Sequence, residues 1–119
     1  MTETESAVLV PVPEAERVVS RHRARLDGAA ALGVPAHVTV LFPFVPPSAI
    51  TATTLESLAA AVASVGAFDC EFAVTAWFGS DVLWLAPRPV AARVGRVWLM
   101  TGGAAPGSWR NVAEFPLGP

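Results

Sequence analysis

Two side chains in this sequence have the types and the spacing to do chemistry together. His37 and Thr39 sit two apart in the run Pro35-Ala36-His37-Val38-Thr39-Val40-Leu41-Phe42-Pro43-Phe44. A histidine titrates near neutral pH and can trade protons. The run is rich in valine and bulky apolar residues, so it reads as a strand, where successive side chains point to opposite faces. His37 and Thr39 then share one face, and Val38 and Val40 share the other. The spacing predicts one face for chemistry and one for burial.

The remaining candidates have bland explanations. His22, the second of two histidines, falls on the apolar stripe of a predicted helix. It reads as a rim residue filling space rather than a partner for His37, because no acidic orienting group can be identified from sequence. Arg17, Arg21 and Arg25 form a row on the same helix. A solvated face accounts for that row more simply than phosphate contact does. Cys70 alternates among core residues and reads as a structural thiol, not a nucleophile. Gly102-Gly103 has neither the spacing nor the lysine of a phosphate loop. Two lone histidines and one cysteine make no zinc set, and neither metal nor cofactor is expected.

The elements that must position His37 and Thr39 follow from pattern. Ala7-Val8-Leu9-Val10-Pro11-Val12 is a short strand with Pro11 at its edge or end. Pro13 suits a first helical turn, where Glu14 and Glu16 face the helix dipole favourably. The period over residues 14–27 is helical, with Gly28 as the stop. After the His37 strand, Pro43, Pro46 and Pro47 enforce a break. Ser48 or Thr51 caps a second helix, with Leu55, Leu58, Val62 and Val65 on its apolar side and Gly66 closing it. Residues 68–77 alternate as a strand, with Phe68, Cys70, Phe72 and Val74 on one face. Gly79-Ser80-Asp81 turns the chain into a return strand over residues 82–86. The order is β-α-β-α-β-β. The fold class is α+β: a mainly antiparallel sheet with two helices packed on one face. Residues 90–100 are expected to be helical and the rest of the C-terminal tail irregular. The expected division is a lobe over residues 1–89 and a poorly defined tail over residues 90–119.

Composition narrows the function classes. The chain has 119 residues, a net charge of −2 and 15% charged residues, and all eight of its basic residues are arginine. That is no electrostatic footprint for duplex DNA. No apolar run reaches the length of a membrane span. The polar, acidic start is no signal peptide, and a single cysteine fits a reducing compartment, so a cytoplasmic location is expected.

The strand at residues 7–12, the arginine-rich helix, and Gly33-Val34-Pro35-Ala36-His37-Val38-Thr39-Val40-Leu41-Phe42-Pro43-Phe44 together resemble the N-terminal half of a 2'-5' RNA ligase family protein, of the two-histidine (2H) phosphoesterase superfamily. The resemblance is close over residues 7–47 and looser through Leu83-Trp84-Leu85-Ala86-Pro87. It implies one lobe of such a phosphoesterase and a metal-free reaction on a 2',3'-cyclic phosphate or a 2'-5' phosphodiester. It implies that His37 is a catalytic acid or base and that Thr39 binds phosphate. It implies a nucleotide or RNA end as partner, with neither membrane nor duplex DNA.

The chain departs from that pattern in having no second His-x-Thr-x motif. Three readings follow. The site is completed by a second copy in a homodimer; or the chain is a truncated, inactive member, with a shifted reading frame past about Pro89; or it is a small α+β interaction domain without catalysis. The reading leans toward an enzyme that is weak or inactive as a monomer.

Overall fold

A computed structural model describes residues 3–16, 28–72, 76–78, 81–83 and 90–119. The elements are β1 (Glu5–Pro11), α1 (Gly28–Leu32), β2 (His37–Leu41), a single 3-10 turn (Pro47–Ala49), α2 (Ala52–Ala63), β3 (Phe68–Phe72), β4 (Ala76–Phe78), β5 (Asp81–Leu83), β6 (Val90–Val94), β7 (Arg96–Gly102) and β8 (Arg110–Pro116). Residues 13–16 are also helical, as Pro13 at a first turn predicts. The remainder of the predicted first helix, with Arg17, Arg21, His22 and Arg25, lies outside the described residues. So do Val74 and Thr75 of the predicted strand and residues 84–86 of its partner.

A four-stranded antiparallel sheet in the order β2-β1-β7-β8 organises the chain. β1 and β7 are its inner strands and bury both faces, with Leu9 and Leu99 the largest fully sealed side chains. Directly opposed residues share a face. Val8 lies across from Leu99, and both join Val97 and Phe115 in a cluster closed by Leu55, Leu58 and Val62 of α2. Ala7 lies across from Met100, and these join Leu9, Val34 and Trp109 on the other face, where Leu32 of α1 packs. α2 thus covers one face and α1 part of the other. β3 pairs with β6 and β4 with β5, both antiparallel. The α+β class with antiparallel sheets is therefore the one expected from sequence. The β4–β5 pairing matches the predicted hairpin.

Residues 90–100 are not the expected helix. They form β6 and most of β7, and residues 110–116 form β8 instead of an irregular tail. Val90 and Val94 are four apart, a spacing that suits a helix and a strand equally. β7 is apolar on both sides because both its faces are buried, so it shows no alternation to read. At Gly95 the chain leaves β6, paired with β3, and enters β7, paired with β1 and β8.

Local signals explain the helix ends. Thr51 caps α2 and accepts from the Thr54 backbone in a capping box, so Thr51 and not Ser48 is the cap. Gly66 does not end α2. It lies past the Ser64 cap and bridges to Gly118. Gly28 is the first described residue of α1, and whether a helix ends before it lies outside the described residues; Gly33, at φ +100°, follows the last turn of α1. The last α1 carbonyls accept from Gly107 (2.9 Å, to Ala31) and Trp109 (2.8 Å, to Leu32). Among the described residues no helix is long and apolar enough to cross a membrane.

Candidate functional site

β2 carries both candidate residues, and its register fixes their side. His37 lies across from Pro11 and Thr39 across from Leu9, while Leu9 in turn lies across from Trp98 of β7. His37, Thr39, Pro11, Leu9 and Trp98 therefore occupy one face of the sheet. The shared face of His37 and Thr39 is as the spacing predicts. His37 is half-buried and Thr39 exposed.

The burial predicted for Val38 and Val40 is not found: they are 42% and 52% exposed. Among the described residues β2 is an edge strand, and the helix α2 contacts β8 at the opposite edge. Leu41 and Phe42 are also exposed, and the Phe42 ring meets Trp109 edge-on at 6.0 Å. Past β2, across a cis Phe42–Pro43 bond, the chain is pinned by Ser6, whose hydroxyl donates to the Val45 carbonyl and accepts from the Val45 N–H.

The backbone before β2 orients the histidine. The His37 Nδ1 lies 2.7 Å from the Pro35 carbonyl oxygen. A carbonyl can only accept, so Nδ1 carries the proton and Nε2 is the lone-pair nitrogen of the neutral ring. Ala36 between them is buried and held at both ends. Its N–H donates to Glu16 Oε2 at 2.6 Å, and its carbonyl accepts from Val12 at 2.9 Å. Glu16 is thus more than a helix-dipole residue; it ties down the turn that leads into His37.

A cavity of about 560 Å³ opens beside this turn, lined among others by Pro11, Pro35, Glu14, Glu16, Arg93 and Trp98. Neither His37 nor Thr39 lines it, but Pro11 is the cross-strand partner of His37. Glu14 Oε2 accepts from the Arg93 N–H at 2.9 Å, which joins the first helical turn to β6 across the cavity. Sequence reasoning missed Arg93, Arg96 and Trp98. They sit in the stretch misread as helix, and only the alternation in Val90-Ala91-Ala92-Arg93-Val94 could have signalled it.

Cys70 packs with Phe72 against the Val12, Ala15, Ala36, Val90 and Ala92 cluster. Burial pushes its thiol pKa up, and the Glu14 and Asp69 carboxylates push it further. A thiol held protonated is a poor nucleophile. Gly102 and Gly103 serve Trp109. Its ring covers Gly102, and its Nε1 donates to the Gly103 carbonyl at 3.1 Å.

An α+β chain of antiparallel sheets, with a His-x-Thr strand at one end of the described sheet and beside a cleft, is the class that fold and site define. The chain belongs to the 2'-5' RNA ligase superfamily, whose family model matches residues 10–100, well over half its length. The resemblance carried by the His37 strand and its lead-in is borne out. No curated protein matches the chain. Among solved structures, the crystal structure of E. coli LigT complexed with ATP is similar with a TM-score of 0.58 and 13% identity, covering 100% of each chain. At that identity the likeness bears on the fold alone.

Proposed function

We propose that the chain binds a phosphodiester of a nucleotide or an RNA end at His37 and Thr39, and that His37 moves a proton in opening a 2',3'-cyclic phosphate or a 2'-5' linkage. The observation that carries this is the β1–β2 register, which sets the two side chains on one face of the edge strand. The Pro35 carbonyl keeps Nε2 as the basic nitrogen. Superfamily membership supports the substrate class, and the similar fold of LigT, crystallised with ATP, supports a nucleotide. In hydrolysis, water adds to phosphorus as His37 takes its proton, and the P–O bond to the ribose oxygen breaks as that oxygen gains a proton. Thr39 donates to a non-bridging oxygen throughout. The single cysteine remains in keeping with a cytoplasmic location.

One histidine cannot remove and deliver a proton at once. The second proton-transfer group comes from another copy of the chain, paired edge to edge through β2. Residues 28–55 contain no Asp, Glu, Lys or Arg. β2 is therefore an edge without the charges that normally guard one, whereas β8 at the other edge exposes Arg110, Asn111 and Glu114. A two-fold axis through such an edge brings His37 and Thr39 of both copies to the same face. The test is hydrolysis of a 2',3'-cyclic nucleotide followed against chain concentration, with His37→Ala beside it. A binding module without catalysis gives nucleotide binding and no turnover in either protein.

A further inference from the structure

We infer that Glu16 is a positioning residue for His37, acting through the single peptide unit that joins Pro35 to Ala36. The inference rests on the reading of His37 as the proton-transfer group, but one arm of its test does not depend on turnover.

That peptide unit is held from both sides. Its carbonyl oxygen accepts from His37 Nδ1 at 2.7 Å, and its N–H donates to Glu16 Oε2 at 2.6 Å. The unit is trans, so it is planar and points its N–H and C=O to opposite sides. A turn of that plane loosens both bonds at once. The carboxylate acceptor makes the Glu16 bond charge-assisted, the short and strong kind. Hydrogen bonds in a chain polarise one another, by about 10–30% per bond. Drawing on the N–H puts more negative charge on the Pro35 oxygen, which then holds the Nδ1 proton more firmly. No proton crosses the peptide. Glu16 thus does at one remove what a carboxylate beside the ring does in a Ser-His-Asp triad. It keeps the imidazole in one tautomer and orientation, with Nε2 left as the base.

The mount of Glu16 is firm enough for that role. Glu16 sits on the helical turn at residues 13–16, where the Ala15 N–H donates to the Val12 carbonyl at 3.1 Å. The Val12 N–H in turn donates to the Ala36 carbonyl at 2.9 Å. Val12, Ala15 and Ala36 are buried in one apolar cluster. The backbone that carries the carboxylate and the backbone it grips therefore share a core, and groups mounted on packed elements keep their geometry. Glu14 on the same turn makes a bond of the same kind in another direction. Its Oε2 accepts from the Arg93 N–H of β6 at 2.9 Å.

Glu14 is therefore the control. Glu16→Ala, Glu16→Asp, Glu16→Gln and Glu14→Ala are compared with the wild-type chain. ¹⁵N NMR reads the tautomer of the neutral His37 ring, its signals assigned by their loss in His37→Ala, and cyclic-nucleotide hydrolysis reads kcat and KM. In Glu16→Ala the ring is expected to pass from one tautomer to a mixture, with kcat lower by about 10- to 100-fold and KM little changed. Glu16→Asp keeps the charge but stops a methylene short of the Ala36 N–H, and it gives the same change should Glu16→Ala not fold. Glu16→Gln keeps an acceptor oxygen and restores the wild-type tautomer. Glu14→Ala leaves tautomer and kcat as in the wild type. A ring that keeps its Nδ1 proton in Glu16→Ala and Glu16→Asp, or loses it equally in Glu14→Ala, overturns the inference. A wild type without turnover whose tautomer still answers to Glu16 counts against the phosphodiester reading and leaves the positioning role standing.

Discussion

The His37 ring donates from Nδ1 to the carbonyl oxygen of Pro35, two residues earlier, at 2.7 Å. The backbone that leads into β2 is therefore also what sets the tautomer of His37, with no acidic side chain needed at the ring. In the neutral ring ¹⁵N NMR correlations are expected to report Nδ1 protonated and Nε2 bare. A ring protonated at Nε2 would remove the base from the proposed chemistry, since a general base must present its lone pair.

Gly102 lies under the Trp109 ring so closely that an added Cβ would overlap Cγ, Cδ1 and Cδ2 of the indole. Gly102→Ala is expected to destabilise the chain by about 1–3 kcal/mol, the usual range for overpacking a filled core. Gly95→Ala is the control, because a Cβ there meets nothing within 4 Å and φ is not positive. Urea unfolding of the two variants reads the contrast. Equal midpoints would mean that Trp109 does not rest on Gly102.

Legibility in the sequence followed the depth of burial. The Thr51 cap and the Leu55, Leu58 and Val62 stripe were readable because α2 has one half-buried apolar side and a polar start. The His37 strand was readable as a strand, but its burial was not. Val38 and Val40 have the residue types of a core position, and only the sheet order reveals that they are on an open edge. β7 was illegible for the opposite reason, since Val97, Leu99 and Met100 fill both faces of an inner strand and leave no period. β8 has one deeply buried side chain, Phe115, and so little pattern to show. The cavity could not be foreseen because its walls come from residues 11–16, 35–36 and 93–98, which only the β1–β7 and β3–β6 pairings bring together.

Cys70 titrates above the ordinary thiol range, first because it is desolvated and then because Glu14 and Asp69 oppose a thiolate. The folded chain holds that proton more tightly than the unfolded chain does. Its contribution to stability is thus complete below the ordinary thiol pKa and is lost as pH rises through the raised value. Alkylation by iodoacetamide should reach half its maximal rate at a higher pH than for a free thiol, and Asp69→Asn should bring that midpoint down. A midpoint at or below that of a free thiol would contradict the packing assigned to Cys70.

Val40 is 52% exposed on the uncharged edge. Val40→Lys places a charge where edge strands normally carry one and leaves the core untouched. Sedimentation is expected to find dimer in the wild type, shifting to monomer in the variant with unchanged unfolding. A wild type that stays monomeric at every concentration removes the two-copy site.

The central claim is that His37 transfers protons at a phosphodiester, and the direct measurement is the rate of 2',3'-cyclic nucleotide hydrolysis by wild type and His37→Ala at matched folded concentration. The expected result is turnover in the wild type, rising per chain with concentration, and a loss of about 10²- to 10⁴-fold in the variant. Equal rates in the two proteins, or no turnover by a wild type shown to be dimeric, would contradict it.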